Sequence, residues 1–160
     1  VPMISGQNAK YIVSALTAYK KGERKHPSMR GIGGSLSEQD MADLGAFYAS
    51  HADKPAPEAI KAPSAAVAAL LDKGACLSCH GANLSKPIDP SYPKLGGQHA
   101  DYLFVALKAY TVEGNQVVGR ANGIMGGIAK QYTPAEMREL AKYIASVSGE
   151  LKTVPQSRFR

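Results

Sequence analysis

Apolar positions fall on a helical period in two stretches that repeat each other. Ile12, Leu16 and Tyr19 are spaced to make one stripe on a helix, and Leu103, Leu107 and Tyr110 make the same stripe further on. The surrounding sequences, SGQNAKYIVSALTAY at 5–19 and GGQHADYLFVALKAY at 96–110, align at a constant offset of 91. A second pair, SEQDMADLGAFYAS at 37–50 and TPAEMRELAKYIAS at 133–146, aligns at an offset of 96 and places Met41 on Met137 and Leu44 on Leu140. Each copy opens with a helix start: Ser37 with Asp40, and Thr133 with Pro134 and Glu136, have the spacing of a capping box. No stretch alternates as a strand does, so the chain reads as all-α.

The repeat divides the chain into a first unit at 1–52, a Pro/Ala-rich linker at 53–63, a second unit at 64–150 and a basic tail at 151–160. A short helix from Ser64 through Leu70 and Leu71 opens the second unit. The first unit has no counterpart of that opening, because Val1 aligns with Tyr92. A bundle lacking its first helix exposes an apolar face. The expectation is therefore that the opening of the first unit precedes Val1 in the natural protein. The tail, Leu151 to Arg160, lacks helical periodicity and is expected to be mobile.

Composition narrows the field. Hydrophobic residues make up 44% of 160, and no apolar run approaches the length needed to span a bilayer. The formal charge of +6 lies mostly in residues 61–160, with twelve Lys/Arg against seven Asp/Glu, and no long basic run. That is a poor footprint for nucleic acid. It fits a face that docks an acidic protein partner or an anionic membrane surface. Lys20, Lys21, Arg24 and Lys25 form a local basic group, read first as a solvated face and second as a contact for an anionic group or a partner.

The chemistry is concentrated in Cys76-Leu77-Ser78-Cys79-His80. These are the only cysteines. A structural zinc site needs a second pair, and a redox C-x-x-C usually accompanies a βαβ unit. Two thiols one helical turn apart, followed at once by His, form the C-x-x-C-H pattern of covalent c-type haem attachment. Cys76 and Cys79 then form the thioethers, and His80 takes one face of the iron. A second axial ligand must come from elsewhere, and a thioether would raise the potential. Met41 and Met137 lie on apolar stripes, and Met3 and Met29 belong to the first unit. Met125, in the loop RANGIMGGIAK, remains. Gly123, Gly126 and Gly127 around it permit unusual backbone angles and close approach to a flat ring. His99, at a helix start, is the rival ligand.

With YPKLGGQHADYL, the Gly-rich Met segment and the capped last helix, the chain resembles the periplasmic dihaem cytochromes of the c-four type, two class I cytochrome c domains in tandem. The resemblance runs through both units, although the first lacks its N-terminal helix and haem motif. It implies an electron-transfer protein, not an enzyme, that binds haem c in the periplasm. It also implies redox partners such as a quinol-oxidising complex and a membrane oxidase, with service as a subunit of a larger dehydrogenase or oxidase complex as the alternative. By the same resemblance His80 and Met125 are the axial pair. Pro90 is the proline whose carbonyl orients the proximal His, and Tyr92, Leu95 and Leu103 line the pocket. Met29 resembles the distal ligand of a second haem, whose cysteines are not in this sequence.

Overall fold

The computed structural model describes residues 1–52 and 61–153. The expected linker thus lies mostly outside the described residues, as does the tail from 154 onward. The first half contains α1 (Ala9–Lys21), α2 (Pro27–Ser35) and α3 (Glu38–Ala49). The second contains α4 (Ala65–Lys73), α5 (Cys76–His80), α6 (Ala100–Ala109), α7 (Gly123–Ala129) and α8 (Pro134–Ser146). The helical expectation holds, apart from two strands of two residues each, β1 (Arg24–Lys25) and β2 (Gly119–Arg120).

Both expected capping boxes form. The Ser37 and Thr133 side chains accept from the backbone N–H of Asp40 and Glu136, whose carboxylates accept from the cap residues in return. The two long helices of each half pack together, α1 on α3 and α6 on α8. In the second half α4 completes the arrangement by covering α8. Val67 and Leu71 join Leu103, Met137, Leu140, Ala141 and Ile144 in one apolar core. The buried core of the first half is Ile12, Leu16 and Met41, with Met29, Leu36, Leu44 and Tyr48 packed around it.

The halves meet across a pseudo-twofold seam. Gln7 and Gln98, repeat mates, each clamp the backbone of the opposite half. Gln7 accepts from the Lys94 N–H at 2.8 Å and donates to the Lys94 carbonyl at 3.0 Å. Gln98 accepts from the Met3 N–H and donates to the Met3 carbonyl, both at 2.8 Å. The glycine preceding each glutamine is required. Gly6 and Gly97 have φ of +85° and +78°, and their N–H groups donate to Tyr48 and Ile144, equivalent positions on α3 and α8.

β1 and β2 pair antiparallel with Arg24 opposite Arg120. Both guanidiniums donate to the Tyr102 hydroxyl at 2.7 Å. Arg24 also stacks on Tyr19, and Arg120 on Tyr102 and Tyr110. Burial pushes the Tyr102 phenol up, but Arg120 and Arg24 outweigh it and hold the group below its ordinary value.

The basic group expected as a solvated face is therefore split. Arg24 turns inward because its stem and guanidinium find three aromatic rings, whereas Lys21 stays exposed. The start of the tail also differs from expectation. Leu151 is buried and the Lys152 N–H donates to the Ser5 carbonyl at 3.0 Å, so the chain is anchored there.

Candidate haem site

The site begins with a sharp reversal after α4. Ala75 adopts a left-handed conformation (φ 48°), which ends α4 and aims the short α5 across its end. The Tyr132 hydroxyl donates to the Leu70 carbonyl at 2.7 Å and ties this corner to the start of α8. Cys76 and Cys79 lie one turn apart on α5, half-buried and not bonded to each other. Burial pushes the Cys76 thiol up. Gly81 stops α5 with φ +83°, where a side chain would run into the Lys86 carbonyl.

His80 is buried, and its Nδ1 lies 2.9 Å from the Pro93 carbonyl oxygen. A carbonyl can only accept, so the proton is on Nδ1 and the lone pair on Nε2 is free for a metal. Burial holds the imidazole below its ordinary value, which favours the neutral ligand form, and the Pro93 carbonyl partly offsets this.

The orienting proline is Pro93, and the assignment to Pro90 is corrected. Pro90 is exposed on the outer part of the loop. The loop folds back because the Leu95 and Gly96 N–H groups both donate to the Leu84 carbonyl, at 2.7 and 2.9 Å. That closure brings Pro93 under the imidazole. Three prolines in seven residues look alike in sequence, and the long-range closure decides among them.

The other expected residues fall as follows. The Tyr92 ring is 6.5 Å from the His80 ring and tilted by 49°. Leu95 is half-buried against the core, and Leu103 is fully within it. His99 stands at the N-cap position of α6, exposed and without a side-chain cap bond. Met125 is half-buried on the first turn of α7, its N–H held by the Asn122 side chain at 2.9 Å. The Gly-rich segment is thus a helix and not a loop, and its glycines need no unusual angles. Their effect is a bare surface: a Cβ on Gly123 or Gly127 would meet nothing within 4 Å. Met29, the counterpart of Met125, packs against the core of the first half. Gln7 and Gln98 were not singled out by sequence, although the GQ repeat marked them.

These residues fit a covalent haem. Two free thiols stand one turn apart, an adjacent imidazole presents Nε2, and the Met-bearing helix has a bare glycine face. Comparison with known proteins agrees. Residues 64–148 match the family model "Cytochrome c". Cytochrome c4 of Stutzerimonas stutzeri is 31% identical over 161 residues, covering 89% of this chain and 75% of that protein.

The chain belongs to the cytochrome c family and is of the c4 type.

The crystal structure of reduced recombinant cytochrome c4 from Pseudomonas stutzeri superposes with a TM-score of 0.69 at 27% identity, covering 92% of this chain and 85% of that one. A protein of Stutzerimonas stutzeri strain A1501 described as "Thiosulfate dehydrogenase electron acceptor" is 32% identical over 158 residues, covering 91% of this chain and 70% of that protein. As a c4-type cytochrome the chain is an electron carrier and not an enzyme, and its cofactor is covalent haem c. Cys76 and Cys79 are the cysteines of its C-x-x-C-H motif. Among the described residues no helix is long and apolar enough to cross a membrane.

Proposed function

We propose that this c4-type chain is a periplasmic electron carrier whose iron is held between His80 Nε2 and the Met125 thioether, and that it passes electrons from a quinol-oxidising complex to a terminal oxidase. The observation that carries the His80 assignment is its Nδ1–H bond to the Pro93 carbonyl, which fixes the tautomer and leaves the Nε2 lone pair free to hold the iron. Bound to Cys76 and Cys79, haem c supplies a one-electron ferric/ferrous couple. His80 would hold the iron from a ring that is buried and hydrogen-bonded. Met125 would supply a thioether as the second iron ligand, a donor that favours a high potential. Tyr92, Leu95 and Leu103 would line the haem pocket with apolar surface, Leu103 from within the core. Met29 has the corresponding place in the first half and would serve a second haem there.

A second reading, service as the electron-accepting partner of a dehydrogenase complex, draws support from the relative named as a thiosulfate dehydrogenase electron acceptor. Reduction of the purified protein by quinol-oxidising membranes, set against reduction by a sulfur-compound dehydrogenase, distinguishes the two. Met125→Ala is expected to remove the far-red sulfur-to-iron charge-transfer band and lower the potential. An unchanged band and potential would reject Met125. Intact mass with a haemochrome assay counts haems per chain, and a count of one removes Met29 as a ligand.

A further inference from the structure

The Pro93 carbonyl that receives the His80 proton belongs to the same peptide unit as the Lys94 N–H. That N–H donates at 2.8 Å to the Gln7 side chain of the first half. The sequence of contacts is His80 Nδ1–H, Pro93 carbonyl, Lys94 N–H, Gln7 Oε1, with one rigid amide in the middle. Gln7 is buried, and its amide also donates to the Lys94 carbonyl at 3.0 Å, so its orientation is fixed. Lys94 is held further by its ammonium, which donates to the Gly6 carbonyl at 2.9 Å and pairs with Glu150.

We infer that Gln7 is a positioning residue of the first half that tunes the haem of the second half, by polarising the Pro93–Lys94 peptide against His80. An amide that donates through its N–H carries more negative charge on its oxygen, so the two bonds strengthen each other. A stronger acceptor at Pro93 makes the imidazole a better donor to iron. That favours the ferric state and lowers the potential. The first half would then act on the second half's redox chemistry through a hydrogen bond that also clamps the seam. This inference rests on His80 being an iron ligand.

The pseudo-symmetry supplies the control. Gln98 makes the same pair of backbone bonds to Met3, whose N–H shares a peptide with the Pro2 carbonyl and not with the Pro93 carbonyl that accepts from His80. Gln7→Ala and Gln98→Ala each remove two seam hydrogen bonds, yet only the first touches the relay. In the full-length holoprotein, Gln7→Ala is expected to shift the one-electron equilibrium about threefold toward the ferrous form. That is a rise of about 30 mV, at 59 mV per tenfold. The His80 Nδ1–H proton resonance should move in the direction of a weaker hydrogen bond.

Gln98→Ala should leave the potential of the haem at Cys76 and Cys79, and the His80 resonance, at the wild-type value. Gln7→Glu keeps an acceptor oxygen for the Lys94 N–H and should reverse the rise, and it serves as the test variant if Gln7→Ala does not mature. Equal shifts in the Gln7→Ala and Gln98→Ala proteins would reduce Gln7 to a structural clamp and overturn the inference. So would an unchanged potential in Gln7→Ala, or a Gln7→Glu protein as high as Gln7→Ala. A protein without covalent haem, or without His-ligated spectra, would instead sink the ligand assignment itself.

Discussion

The two halves use the same pair of long helices but bury them unequally. α8 presents Met137, Leu140 and Ile144 to a full core, because α4 lies across it with Val67 and Leu71. The equivalent face of α3 carries Met41, Leu44 and Tyr48, and only Met41 is fully buried. Leu36 and Phe47 stand where the second half has Tyr132 and Tyr143. Tyr132 reaches the end of α4, whereas Phe47 is 53% exposed. Among the described residues nothing covers α3 as α4 covers α8. α4 laid across α8 is what closes the core of the second half.

The largest test of that contrast is a pair of truncations at repeat mates. Leu140→Ala should cost about 3 kcal/mol in denaturant unfolding, as a fully packed leucine does. Leu44→Ala should cost about 1 kcal/mol, since less area leaves contact. Equal costs would mean that the two cores are equivalent.

Next come the seam arginines, one from each half. Arg24→Ala and Arg120→Ala should each cost about 2 kcal/mol, the loss of a charge-assisted hydrogen bond to Tyr102. The double variant should cost less than the sum, because both lose the same phenol. Additive costs, measured by the same unfolding experiment, would show that the two cations act independently.

The smallest effect should be the same in both halves. Ser37→Ala and Thr133→Ala remove matching caps, and each should cost about 1 kcal/mol. The Ser37 hydroxyl holds the Asp40 carboxyl below its ordinary range, and the Thr133 backbone N–H does the same for Glu136. A depressed carboxyl contributes stability above its unfolded value and loses it as pH falls through the lower folded value. Thermal melts of the wild type should therefore fall in acid below about pH 4, and Ser37→Ala, which removes the hydroxyl that holds Asp40 down, should show a shallower fall.

Much of this was legible along the chain. The capping boxes depend on residues three apart, so Ser37 with Asp40 and Thr133 with Glu136 announced α3 and α8. The repeat offsets paired the helices correctly. Three glycines weigh against helix, so the Met125 segment reads as a loop in the sequence. It is helical because the Asn122 side chain caps it and α6 packs beside it. Arg24 looked like one more basic residue, and its burial depends on three aromatic rings from both halves.

The sequence by itself determined the helices, their caps, the pairing of the two halves and the thiol–imidazole run, since each is written within one turn or one repeat period. Only the tertiary structure decided which proline faces His80, that Gln7 sits behind that peptide, and that two arginines converge on one tyrosine. Those contacts join residues from 13 to 87 positions apart. Which partners meet over such distances is set by how the halves dock, and no local pattern records it.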